Sequence, residues 1–120
     1  MKVLAGLCIL GLTLPALAED PPIPLPTGRY EFKHRFAEHP NMQSIKLIAE
    51  ISDDHIELTN ADSDAVFSFG LVEKGTLMWH AASHQWIIGL SEEDRNASDV
   101  GGCSDGPSVV DLVELVYWTC

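Results

Sequence analysis

Basic residues are scarce in this 120-residue sequence: seven Lys and Arg stand against 18 Asp and Glu, which gives a net charge of −11. A surface of that sign repels the phosphates of nucleic acids and anionic membranes, so neither is an expected partner. It attracts cationic proteins, although many exported domains are acidic for solubility alone. The charge therefore narrows the class of partner without identifying one.

Long apolar runs are absent beyond the first eighteen residues. Lys2 supplies a positive start, residues 3–14 are almost entirely apolar, and Ala16-Leu17-Ala18 has the small-x-small pattern of a cleavage site. We interpret residues 1–18 as a secretory signal peptide. Its removal would leave an exported chain, periplasmic or secreted, with no membrane anchor expected.

Cysteine is rare too, with three in the sequence. Cys8 lies within the predicted signal peptide, which leaves Cys103 and Cys120 as a pair. In an oxidising compartment a lone pair predicts a disulfide, and the spacing fits neither a redox CxxC motif nor a zinc site. Closing a loop of this length should stabilise the fold by roughly 3 kcal/mol. No cofactor is expected.

Helical periodicity is missing from the rest of the chain. Residues 19–27 contain four prolines and are interpreted as an extended lead-in that acts as a spacer, with a recognition role as the alternative. From Gly28 onward, apolar and polar residues alternate with the period of strands. The predicted strands before the last segment are 28–36, 44–51, 55–60, 65–72, 76–81 and 85–90. Lys74-Gly75 is a predicted turn, and 92–106 a loop.

The last segment, 108–120, is the densest β-branched run. Ser108 and Asp111 could cap a helix here. Four valines within eight positions favour a strand instead, because valine loses side-chain freedom in a helix.

These seven segments predict an all-β domain over residues 28–120: a small antiparallel up-and-down barrel or a strongly curled meander. A two-sheet β-sandwich is the alternative. The opening Gly28-Arg29-Tyr30 resembles the glycine-x-aromatic start of calycin-type barrels. That resemblance implies an architecture and no function.

The hairpin over residues 76–90 is the most informative local feature. A loop around Ala82-Ser83 pairs Trp79 with Trp86, and Met78 with Ile87. Cross-strand aromatic pairs stabilise hairpins. The tryptophan pair would be core if its face points inward, and a binding platform if it points outward.

Catalytic patterns are lacking. His80 and His84 have the i, i+4 spacing that serves zinc on a helix, but on a hairpin they do not converge without a third ligand. Glu92-Glu93-Asp94 is explained by solvation, and no serine has the flanking glycines of a nucleophile elbow. We therefore predict neither an enzyme nor a metal site.

Three hypotheses remain. The first is an acidic exported binding protein, inhibitor-like or immunity-like, that engages a cationic protein. The second is a calycin-like carrier of a small apolar ligand, and the third is a metal-binding or hydrolytic protein that uses His80 and His84. The candidate binding residues are Trp79, His80, His84, Trp86, Glu92, Glu93 and Asp94. The expected lining of a carrier pocket is Tyr30, Phe32, Phe67, Phe69 and Trp79.

Overall fold

Alternating side chains produce seven strands in the computed structural model, which describes residues 20–62 and 67–120. The predicted signal peptide and the first two residues of the predicted strand 65–72 lie outside this range. The strands are β1 (Gly28–Phe36), β2 (Ile45–Ser52), β3 (His55–Asn60), β4 (Gly70–His80), β5 (Gln85–Gly89), β6 (Ser108–Asp111) and β7 (Val116–Thr119). A 3-10 helix, Glu92–Asn96, follows β5.

The strands close into a barrel in chain order, which confirms the predicted barrel. Each strand pairs antiparallel with the next, and β7 returns to β1 as a parallel neighbour. The parallel seam follows from parity: in an up-and-down series of seven, the first and last strands run in the same direction. The barrel is therefore mixed.

β4 differs from the prediction because it runs through Lys74 and Gly75, where the sequence predicted a turn. Gly75 is needed for close packing between strands, since a Cβ there would lie 2.6 Å from the carbonyl oxygen of Gly89. Glycine in a strand often marks such an approach of two backbones. The predicted strands 65–72 and 76–81 are thus largely one element.

A β-bulge in β4 explains a second error. Leu58 pairs with Glu73 and the next residue, Thr59, pairs with Leu71, so Val72 is the extra residue. A bulge of this kind interrupts the in-out alternation of side chains. Leu71, predicted to lie on the apolar face, is consequently 55% exposed, and Phe69, which precedes β4, is 72% exposed.

The closing segment is β structure, as predicted, but forms two strands rather than one. The Asp111 Oδ1 atom accepts hydrogen bonds from the backbone N–H groups of Val113 (2.9 Å) and Glu114 (2.8 Å). Leu115 then adopts a left-handed φ of 60°. The aspartate side chain thus ends β6 and starts the turn into β7.

The barrel interior is filled by apolar side chains. The side chains of this core that are less than 2% exposed include Phe32, Leu47, Ile56, Leu58 and Ile88. A second cluster, made of Met78, Ile87 and Val109, lies on the other face of β4 to β6 and is covered by Val100 and Trp118. In the described part of the chain, no helix is long and apolar enough to cross a membrane.

Cys103 and Cys120 lie at disulfide distance, with their Cα atoms 4.5 Å apart. The bond ties the residue that follows β7 to the loop between β5 and β6. Beside it, the Ala37 N–H donates to the Thr119 carbonyl oxygen at 2.8 Å, next to the parallel seam. The disulfide therefore holds the strand that closes the barrel.

Replacing both cysteines by serine should lower the free energy of unfolding by about 3 kcal/mol, because the unfolded chain regains the entropy of an open loop. Urea unfolding of the double variant and of the oxidised protein measures this difference. An unchanged unfolding midpoint would contradict the role given to the disulfide.

Gly75→Ala should destabilise the fold by about 1–3 kcal/mol, because the added methyl group meets the Gly89 carbonyl oxygen and the Ile88 side chain. Gly28→Ala is the matched control, since a Cβ at Gly28 makes only ordinary contacts of 3.5 Å or more. Equal thermal midpoints for the two variants would argue against close packing at Gly75.

Candidate functional site

The barrel has two ends with different loops. One end carries the turns β2–β3, β4–β5 and β6–β7 together with the entry into β1, and we call it the strap end. The other end carries the connections 37–44 and 90–107 and the described residues 61–62 and 67–69 between β3 and β4, and we call it the loop end. In an up-and-down barrel, the connections that follow even-numbered strands lie at one end, and those that follow odd-numbered strands lie at the other.

The Pro-rich residues 20–27, which we call the strap, lie against the strap end. Ile23 and Leu25 pack on the barrel core. At its C-terminal end, the Thr27 Oγ1 atom accepts the Asp53 N–H at 3.0 Å, and the Tyr30 hydroxyl donates to the Pro26 carbonyl oxygen at 2.5 Å. These residues, predicted as an extended lead-in, are thus packed against the barrel.

Asp20 fixes the N-terminal end of the strap. Its carboxylate forms an ion pair with Arg95 and accepts the Trp79 backbone N–H at 3.3 Å. Arg95 also donates to both carboxylate oxygens of Glu92, at 3.0 and 3.2 Å. Hydrogen bonds to Glu92 and Asp20 raise the pKa of Arg95, and the hydrogen bond from Arg95 lowers the pKa of Glu92.

An open groove of about 410 Å³ lies beside the strap. Its lining includes three strap residues, Pro21, Pro22 and Pro24, and all three tryptophans of the chain, Trp79, Trp86 and Trp118. Asp111 and the β6–β7 turn also contribute to the lining. We call this feature the tryptophan groove. Its volume falls in the range of small-ligand sites.

The predicted hairpin register is confirmed: Trp79 pairs with Trp86, and Met78 with Ile87. The two indole rings meet edge to face, with centroids 5.4 Å apart and planes at 69°. Trp86 is only 9% exposed and belongs to the core cluster, on which Trp79 packs. Because the pair sits at the strap end, it is both core and groove wall.

His80 and His84 differ in their surroundings. His80 is buried, with Nδ1 2.7 Å from the Ser83 Oγ atom and Nε2 2.7 Å from the Ala97 carbonyl oxygen. A carbonyl only accepts, so Nε2 carries the proton and joins the 3-10 region to the hairpin. His84 is exposed, with its ring 5.9 Å from that of Trp79.

The predicted acidic residues divide between several roles. Asp94 accepts the backbone N–H groups of Leu90 (2.7 Å) and Ser91 (3.3 Å), which caps the 3-10 helix. Glu92 pairs with Arg95, and Glu93 is exposed beside the Ser91 hydroxyl. None of these three acids is among the residues that line the tryptophan groove.

Within the described residues, one group of potential metal ligands converges: Glu38 with the sulfur atoms of Cys103 and Cys120. Because both sulfurs are joined in the disulfide, the group offers no thiolate. A second open groove of about 440 Å³ lies along Arg29, Glu50, His55 and Glu57. Arg29 and Glu50 form an exposed ion pair at 3.7 Å, and the His55 Nε2 atom lies 3.7 Å from the Glu57 carboxylate.

A polar cluster inside the barrel was not found by sequence reasoning. The Glu73 Oε1 atom accepts hydrogen bonds from the Tyr117 hydroxyl (2.5 Å) and the Ser108 hydroxyl (2.8 Å). His34 is fully buried nearby, with Nε2 2.6 Å from the Thr119 Oγ1 atom. Burial, together with the hydrogen bond to Glu73, raises the pKa of Tyr117.

The five residues expected to line a carrier pocket are dispersed. Phe32 is fully buried in the packed core, and Phe69 is exposed. Phe67 contacts the His34 ring at 4.9 Å, toward the loop end, while Trp79 lies at the strap end. Trp79 therefore belongs to a groove that the other four do not line.

The site and the fold together define a small closed β-barrel with a strap-bordered aromatic groove at one end. Comparison with known proteins finds no matching family model, no matching curated protein and no matching solved structure.

Tyr117→Phe should lower the free energy of unfolding by about 1–2 kcal/mol, because Glu73 loses one of two hydrogen bonds in a half-buried site. Tyr30→Phe removes an exposed hydrogen bond and is the matched control, for which a smaller loss is expected. Urea unfolding compares the two variants, and equal losses would contradict this assignment.

Alkaline titration tests the same cluster. The folded pKa of Tyr117 is raised, so its stabilising effect is complete below the ordinary pKa of about 10 and is lost as pH rises through the folded value. Subtracting the absorbance titration of Tyr117→Phe should isolate a tyrosinate signal that comes at higher pH in the folded than in the urea-unfolded protein. Coincident signals would contradict the raised pKa.

Proposed function

We propose that this protein is a small exported binding protein that engages a cationic segment of a partner protein at the tryptophan groove. The single observation that carries the proposal is the collection of all three tryptophans around one open groove. Tryptophan is one of the residues enriched at energetically dominant interface positions. The disulfide is consistent with an oxidising, exported location.

The charge of the groove favours a cationic group. Asp111 lines the groove, and Asp20 stands next to Pro21 in the strap. The face of an indole ring attracts a cation through its quadrupole, and an overall charge of −11 steers cationic partners toward the molecule. An arginine or lysine side chain therefore fits the groove better than an acidic one.

A carrier of a small apolar molecule is the second candidate. The groove volume of about 410 Å³ and its proline and tryptophan walls favour it. The pocket in this case is the tryptophan groove, not the filled barrel interior. A neutral aromatic compound would then occupy the groove without help from the acidic charge.

Peptide titration separates the two candidates. A glycine–arginine peptide should quench or shift the intrinsic fluorescence, because every tryptophan of the chain lines the groove. A second titration uses the same peptide with glutamine in place of arginine, which removes the positive charge. A third uses 1-aminoanthracene as a neutral aromatic probe. Raising NaCl from about 0.1 to about 1 M shortens the Debye length from about 10 to about 3 Å and should weaken arginine-peptide binding.

Two variants test whether the arginine peptide binds at the tryptophan groove. Trp79→Ala should weaken arginine-peptide binding by about tenfold or more, the loss expected for an interface hot spot. Asp111→Asn keeps an oxygen for the Val113 and Glu114 hydrogen bonds but loses the charge, so its binding should depend less on salt. Phe69→Ala, an exposed aromatic at the loop end, is the control. Equal binding by all variants, or by the arginine and glutamine peptides, would overturn the proposal.

A further inference from the structure

We infer that the strap is a gate for the tryptophan groove, held shut by the Asp20–Arg95 ion pair and opened by a cation that takes the place of Arg95. The inference rests on the proposed function in taking the groove as the binding site. It adds that the strap regulates access to the groove and that the partner must supply a cationic group.

The two ends of the strap are held differently. At its C-terminal end the strap continues into β1 and is fixed by the Thr27 and Pro26 hydrogen bonds. At the other end, the polar contacts of Asp20 are its ion pair with Arg95 and the long hydrogen bond from Trp79. Ile23 and Leu25 add apolar contact between these points. Release of Asp20 therefore removes these polar contacts at one end of the strap and leaves a natural hinge at the other.

The composition of the strap lets it move as a unit. Four of its eight residues are prolines, whose fixed φ limits internal bending and whose missing N–H groups prevent pairing with a strand edge. The contacts that hold the strap are the packing of Ile23 and Leu25, the Asp20 carboxylate, and the hydrogen bonds at Pro26 and Thr27. Three of its prolines form one side of the groove, so its displacement widens the groove beside the tryptophans.

The ion pair also determines what can open the gate. The Asp20 and Arg95 side chains are each about one third exposed, so an incoming guanidinium or ammonium group can reach the carboxylate. Arg95 keeps Glu92 as a partner when it releases Asp20. The exchange replaces one ion pair with another and leaves no charge unpaired. A neutral or anionic ligand offers no such replacement.

Hydrogen exchange and fluorescence quenching measure the gate without any ligand. The Trp79 amide donates to the Asp20 carboxylate, so its exchange, which we call strap exchange, reports on the attachment of the strap. Acrylamide quenching reports on the groove, since all three tryptophans line it. Asp20→Asn and Arg95→Gln should each accelerate strap exchange by about fivefold and increase quenching, as expected for the loss of a partly exposed ion pair. Arg29→Gln, which breaks the exposed Arg29–Glu50 pair with the same change in charge, is the matched control.

The peptide arms then test the cation requirement. The glycine–arginine peptide should accelerate strap exchange in the wild-type protein, whereas the glutamine peptide should not. Unchanged exchange and quenching in Asp20→Asn and Arg95→Gln would overturn the gate even if the arginine peptide binds. Faster exchange in those variants with no arginine-peptide binding to any of them would retain the gate and refute the proposed function.

Discussion

Closure of the barrel is the constraint on which the rest of this structure depends. With seven strands in an up-and-down series, the last strand meets the first in parallel, and β7 contributes only four residues to that seam. The disulfide and the Ala37–Thr119 hydrogen bond lie at its end. Closure places the three tight turns and the chain entry at one end and the long loops at the other. The groove exists because the strap enters at the same end as the tryptophan hairpin.

The two ends of the barrel differ in the side chains that they contain. At the loop end, polar groups are buried, and they are accommodated by hydrogen bonds such as those from Tyr117 and Ser108 to Glu73. At the strap end, Trp79 and Trp86 border an open groove, and the strap prolines form part of its lining. The proposed binding site is at the strap end because the three tryptophans line one groove there, whereas the hydrogen-bonded polar cluster at the loop end mainly stabilises the fold.

Much of the local structure could be predicted, since strand alternation is a short-range signal. The Trp79–Trp86 register followed from one hairpin loop, and the disulfide followed from a count of cysteines. The errors in β4 have a physical cause as well. The bulge at Val72 is set by pairing with β3, and Gly75 is a strand residue because Gly89 of β5 packs against it. The pair Lys74-Gly75 is typical of a turn, and the sequence around it does not reveal that Gly89 packs against Gly75.

By itself, the sequence determined the class of fold, the alternation of faces, the hairpin register and the acidic character of the surface, because these depend on composition and on neighbours a few residues apart. Tertiary structure alone decided that Trp118 and the strap prolines join Trp79 and Trp86, and that Asp20 meets Arg95, 75 residues away in the chain. Such contacts arise from the closure of the barrel, which brings together segments whose local patterns are independent. The candidate site is made almost entirely of contacts of this second kind.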